Sequence, residues 1–298
     1  MPKHFFLTAL VYFAVLPFIY LLSALPFRAL YLFSDFVFFV LYYLVGYRKK
    51  VVLDNLRRSF PEKSEDEINK ICRKFYRYLC DITLETFKVL TISRKSMIEH
   101  CKFNPEGFAL LNRLAEEHKN VILVMGHFGN WEWAGHPFSL LCKHKLFVIY
   151  HPLSNKYFNS LMLKMRSRFG TEMIEMKNTY KEMLANKGIL NTTAFIADQT
   201  PQPNNAFWTN FLNQNTPVFK GTEVIAKKMN LPVVYASIRK VRRGYYEMYV
   251  ELLTENPANT ADGEITEMHT RKLEEDIRSM PEAWLWSHKR WKHCNASC

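Results

Sequence analysis

Val121-Ile-Leu-Val-Met-Gly-His-Phe-Gly-Asn-Trp-Glu-Trp133 opens with five apolar residues, continues through a turn with two glycines, and ends in residues that suit the start of a helix. A short apolar run with β-branched residues, closed by glycine, predicts a buried strand over Val121–Met125. Outward from it, similar runs occur at Leu146–Tyr150, Thr193–Ala197, Pro232–Ser237 and Tyr245–Leu253. Helical patterns lie between most of them, at Phe158–Arg168, Lys181–Asn186 and Gly221–Met229, with a last one at Glu264–Ser279 ahead of Pro281. Alternation of this kind predicts an α/β fold, a sandwich of helices around a central mixed sheet. Upstream, Lys50–Ser59 reads as helix, broken by Phe60-Pro61. Ser64 and Glu67 then form a capping-box pattern opening a helix through Ile68, Ile71, Phe75 and Leu79.

The apolar residues are unevenly spread over the 298 positions. Phe5–Phe27 carries no charged side chain, and roughly 20 apolar residues in a helix cross a hydrocarbon core. A second apolar stretch, Leu30–Tyr47, is interrupted by Asp35, rich in Phe and Tyr, and closed by Arg48-Lys49-Lys50. The expected organisation over residues 1–50 is one embedded helix and an aromatic-rich helix lying at the interface or packed on the catalytic domain. A two-helix membrane hairpin is the alternative, and a catalytic domain over 51–298 follows. The basic stop at Arg48–Lys50 predicts that this domain faces the cytoplasm.

A net charge of +12 calls for an anionic partner, either a membrane surface, a phosphorylated lipid or an acidic carrier protein. No zinc-finger spacing or RNA-binding aromatic signature accompanies it, so nucleic acid is not expected. The six cysteines, with Cys294 and Cys298 in a loose tail, show no C-x-x-C pair and no metal spacing. They fit a reducing compartment, and neither metal nor redox cofactor is expected.

Chemistry concentrates where the first strand ends. The carboxyl edge of a sheet strand is a usual place for active-site groups in open α/β folds. His127 stands there and titrates near neutral pH; Glu132, five residues on, can turn back to its other ring nitrogen. A hydroxyl acceptor needs such a base, because its own pKa lies far above neutrality.

The His-x4-Glu stretch resembles the His-x4-Asp/Glu signature of glycerolipid-type acyltransferases, and the whole chain resembles the lipid A late acyltransferases, which add secondary acyl chains to lipopolysaccharide precursors. Further elements follow in family order. Asn55-Leu56 with Phe60-Pro61 resembles the post-anchor segment, and Tyr150-His-Pro-Leu-Ser-Asn155 a Tyr-Arg-Pro-x-x-Asn stretch. Arg166-Ser-Arg168 resembles an Arg-x-Arg element, Asp198-Gln199 an Asp-Gln element, and Pro281-Glu-Ala-Trp-Leu-Trp286-Ser-His288-Lys-Arg290 the family's ending.

The resemblance implies a glycerolipid-acyltransferase-like fold at the bacterial inner membrane. It also implies a thioester donor on acyl carrier protein or coenzyme A, and a hydroxyl of a lipid A precursor as acceptor. His127, Glu132 and Arg166 would be catalytic, with Arg166 at the oxyanion. Asn130, Asn155, Arg168, Asp198, His288 and Arg290 would bind substrate, with Asp198 holding Arg166 or the acceptor. The chain departs from the pattern in three places, one being that Asp198-Gln199 lacks the second acidic residue often found just after. His151 stands where Arg is usual, and Asn213 where glycine is usual, with Asn second best to glycine at tolerating left-handed backbone. The residues leave open an acyltransferase for an aminolipid or a lysophospholipid, and an inactive lipid-binding protein at the membrane surface.

Overall fold

The computed structural model describes residues 3–293, with the backbone alone for residues 3–8 and 10, so the tail with Cys294 and Cys298 lies outside the described residues. Two apolar helices come first, α1 (Lys3–Ala24) and α2 (Phe27–Phe39). Pro26 separates them, since proline has no N–H with which to continue a helix. α2 runs on into a π-helical turn, Val40–Val45, which Gly46 ends at φ +63. The sequence puts the spanning helix at Phe5–Phe27, part of which lies outside the described side chains. Among the described residues the helix long and apolar enough to cross a membrane is instead Phe27–Val45, of 19 residues.

α2 is tied to the rest of the chain along one face. Leu30, Ser34 and Phe38, four apart, are buried, while Leu32, Phe36 and Phe39 are exposed. Two helices follow, α3 (Lys49–Ser59) and α4 (Glu65–Lys88). The capping box at the start of α4 forms as the sequence predicts, with Ser64 accepting from the Glu67 N–H and Glu67 accepting from the Ser64 N–H at 2.9 Å. α4 supports α2 by polar contacts as well as apolar ones. Ser34 donates to Asp81 at 2.7 Å and Tyr31 donates to Glu85 at 2.7 Å. Arg243 bridges Asp81 and Asp35 at 2.7 and 2.8 Å. Asp35 is therefore the outer end of an ion-pair cluster.

The remaining elements follow in the order α5 (Arg94–His100), β1 (Cys101–Phe103), α6 (Pro105–Glu116), β2 (Val121–Met125), α7 (Trp131–Leu141), β3 (Lys145–Tyr150), α8 (Lys156–Arg166), β4 (Glu172–Glu175), α9 (Thr179–Ala185) and β5 (Asn191–Ile196). Then come the hairpin β6 (Ala206–Phe211) and β7 (Gln214–Phe219), α10 (Gly221–Met229), β8 (Val233–Arg242), β9 (Tyr245–Thr254) and α11 (Glu264–Ser279). Seven strands form one sheet in the order β1-β9-β8-β2-β5-β3-β4. Its pairs are parallel except β8 with β9, so the sheet is mixed, as expected. Every residue of β2 is buried, which its unbroken apolar run requires of a strand between two neighbours, β8 and β5. The β6–β7 hairpin turns through Leu212 and Asn213 at φ +51 and +62, so Asn213 does adopt the conformation for which glycine is usual.

Candidate functional site

The turn after β2 has no room to vary. A Cβ on Gly126 would lie 2.6 Å from the Leu273 side chain, and one on Gly129 only 1.7 Å from the Ile238 carbonyl oxygen. Gly129 also sits at φ +66, which side-chain-bearing residues rarely adopt, and its N–H donates to the Ala283 carbonyl at 3.0 Å. Asn130 then caps α7, accepting from the Trp133 N–H at 3.1 Å. His127 is held between these fixed points.

The neighbouring strand β5 supplies the partner of that histidine. The Ala197 N–H donates to the Met125 carbonyl at 3.0 Å, which sets Asp198 beside the turn. Asp198 Oδ1 lies 2.6 Å from His127 Nδ1, and Oδ2 accepts the His127 backbone N–H at 2.8 Å and Trp284 Nε1–H at 2.7 Å. With Nδ1 donating to the carboxylate, the ring presents its lone pair at Nε2, which lies 3.4 Å from the Gln199 amide nitrogen. Burial alone lowers the imidazole pKa, but the Asp198 charge and hydrogen bond outweigh it, and the His127 pKa is raised. Asp198 is itself held below the ordinary carboxylate range: burial works against it, and His127 and Trp284 prevail.

This arrangement corrects the pairing expected from sequence. Glu132 does not reach the His127 ring. It is bound in a bidentate ion pair by Arg166, at 2.9 Å from Nε and 2.6 Å from Nη2. The reason is geometric: Glu132 lies in the first turn of α7, facing the last residue of α8, while the open side of Nδ1 is filled by Asp198. Burial raises and Arg166 lowers the Glu132 pKa, and the ion pair wins. Asp198 thus holds His127 rather than Arg166.

The other expected site residues divide. His288 stays close, its Nε2 3.3 Å from Thr200 Oγ1 on the loop after Asp198, and burial lowers its pKa. Asn130 is wholly buried, with Nδ2 donating to Glu85 at 2.7 Å, so it positions α7 from inside. Asn155 caps α8 through the Tyr157 and Phe158 N–H groups. Arg168 donates to the Val89 carbonyl. Arg290, expected at an anionic head group, is 1 % exposed and donates to the Pro217 carbonyl at 2.7 Å. It braces the β6–β7 hairpin. His151 is exposed, with Nδ1 3.0 Å from the Pro152 carbonyl oxygen.

Sequence reasoning missed Glu85. Its buried carboxylate gathers Tyr31, Tyr246 and Asn130, each at 2.7 Å, and so links α2, β9 and the cap of α7. Burial raises its pKa to about 7, with the Tyr246 and Tyr31 hydrogen bonds opposing. A signal for it exists: Glu85 continues the helical stripe Ile71, Phe75, Tyr78 and Ile82, so a charge was due on the inward face. Trp284, the third donor to Asp198, was likewise legible only as an aromatic.

A buried carboxylate bound to a part-buried histidine at the carboxyl edge of a parallel pair of strands can serve as an acid–base centre. The chain belongs to the bacterial lipid A biosynthesis acyltransferase family, which it matches over residues 2–293. It is 24% identical over 254 residues to the lipid A biosynthesis palmitoleoyltransferase of Escherichia coli (strain K12), covering 82% of this chain and 79% of that one. The lipid A biosynthesis acyltransferase of Shigella flexneri is similar to the same extent, 24% over 254 residues.

Proposed function

We propose that this acyltransferase moves a fatty acyl chain from a thioester, carried by acyl carrier protein or coenzyme A, onto a hydroxyl of a lipid A precursor. His127 Nε2 takes the hydroxyl proton as the acceptor oxygen attacks the thioester carbonyl. Asp198 keeps the ring in the required tautomer and stabilises the imidazolium that forms. Arg166, fixed by Glu132, is the cation for the oxyanion of the tetrahedral intermediate. Collapse of that intermediate expels the thiolate, which takes the proton from His127. The new bond is an ester, and the base is regenerated.

The observation that carries this reading is the 2.6 Å contact between His127 Nδ1 and Asp198 in a chain of this family. The net charge of +12 suits an acidic carrier and an anionic acceptor, and the exposed apolar face of α2 suits a membrane. On the same reasoning the enzyme works at the cytoplasmic face of a bacterial inner membrane, with Arg48, Lys49 and Lys50 on that side. The test is acyl transfer by purified His127→Ala in detergent, with acyl carrier protein thioester and lipid A precursor. Loss of about a hundredfold or more is expected, with the fold intact by circular dichroism. A rate near that of the unaltered protein would overturn the mechanism.

A further inference from the structure

One residue of α4 pins the first turn of α7. Glu85 is wholly buried, and its Oε2 accepts from Asn130 Nδ2 and from the Tyr246 hydroxyl at 2.7 Å each. Its Oε1 accepts the Tyr31 hydroxyl at 2.7 Å, and its backbone carbonyl accepts Trp133 Nε1–H at 2.7 Å. The side chains that meet the carboxylate are neutral. An apolar side chain of similar size would fill this place at less cost, because a buried carboxylate forfeits its hydration. What the carboxylate adds is an acceptor for Asn130.

Asn130 works through both ends of its amide. Oδ1 accepts the Trp133 N–H and caps α7, and it keeps that direction while Nδ2 is held by Glu85. Glu132 lies between Asn130 and Trp133, the two residues tied to Glu85, and it carries the bidentate pair with Arg166. We infer that Glu85 is a positioning residue for acyl transfer: through Asn130 and Trp133 it fixes the turn from which Glu132 aims Arg166 at the reacting carbonyl. The inference rests on the acyl-transfer reading above, in which Arg166 meets the oxyanion. Tyr31 carries the same chain of contacts on to α2. Ser34, one turn along α2, donates to Asp81 instead, so it ties the same two helices without touching Glu85.

That difference gives the test. Full-length variants are assayed in detergent with acyl carrier protein thioester and lipid A precursor. Glu85→Leu should lower kcat by about tenfold or more and leave KM for both substrates within about twofold. Glu85→Gln can turn its oxygen to Asn130 and its NH2 to the Tyr31 hydroxyl, and should restore kcat to within about threefold of the unaltered enzyme. Tyr31→Phe should lower kcat by about threefold and add nothing once Glu85 is replaced by Leu. Ser34→Ala should lower the thermal midpoint and leave kcat alone. If kcat merely follows the thermal midpoint across these variants, Glu85 is structural and the inference is overturned. An unchanged kcat in folded Glu85→Leu, or a raised KM with kcat intact, overturns it too. Amide exchange over residues 128–136, read by mass spectrometry, decides without recourse to activity. It should be faster in Glu85→Leu and Tyr31→Phe and unchanged in Ser34→Ala. Should Glu85→Leu not fold, Tyr31→Phe answers by both readouts. If the unaltered enzyme transfers no acyl group, the acyl-transfer reading falls and exchange still judges the hold on α7: equal exchange in all variants overturns it.

Discussion

Replacing Asp198 by Asn tests which carboxylate governs His127. Three N–H groups converge on the two oxygens of Asp198: the His127 ring, the His127 backbone and the Trp284 indole. Asparagine offers one oxygen and one NH2 group. If the oxygen serves the backbone and the indole, the NH2 group faces Nδ1. The ring must then accept at Nδ1 and carry its proton on Nε2, where the lone pair is needed. If the amide flips, two buried donors lose their acceptor, at about 1–3 kcal/mol each. The lost charge adds to this, since a carboxylate about 4 Å from an imidazolium contributes about 4 kcal/mol at an effective dielectric of about 20. The expected fall in kcat/KM is therefore about a thousandfold. The pH profile separates this from general damage. Asp198 holds the His127 pKa up, so in Asp198→Asn the rise of kcat/KM with pH should begin at lower pH than in the unaltered enzyme. Glu132→Gln should move that limb much less, because Glu132 is engaged by Arg166. A full rate and an unmoved limb in Asp198→Asn, with both changed in Glu132→Gln, would refute the assignment and restore the His127–Glu132 pair.

Gly129→Ala should lower stability by about 2 kcal/mol or more, read as a lower thermal midpoint, because the new methyl meets the Ile238 carbonyl at a positive φ; an unchanged midpoint would contradict the packing described. Glu85 is an acid whose folded pKa is raised to about 7, so its contribution to stability is complete below the unfolded glutamate pKa and fades as pH rises through about 7. Glu85→Gln should remove that decline, seen by urea unfolding at about pH 5 and about pH 8. If the variant declines as steeply as the unaltered protein, the buried carboxyl is not its source.

The strands and helices legible in the sequence are those whose apolar period survives burial. β2 coincides with its expected limits, and so do α10 and α11. β1 and β4 were not anticipated, being three and four residues long and too short to show a period. The β6–β7 hairpin was missed because β6 is mostly half-buried, with Phe211 alone fully buried, and its apolar alternation is weak. At the site, a strand-end histidine could be found from its neighbours in the chain. Its carboxylate could not, because Asp198 is 71 residues away and meets His127 only through the parallel pairing of β2 with β5. A carboxylate five positions on is the natural local choice, and only the sheet register removes it.

Arg243 fastens α2 to α4 through Asp35 and Asp81, and Gly244 beside it lies so close that a Cβ there would be 2.1 Å from the Tyr31 hydroxyl. The apolar outer face of α2 is consequently joined, through Arg243 just past the end of β8 and the pairing of β8 with β2, to the strand that carries the base. Whatever oily phase takes up that face, the histidine stands at a set altitude over its surface. On the proposed function, how far a lipid's reactive oxygen rises from the phase it lives in then becomes a criterion of its selection.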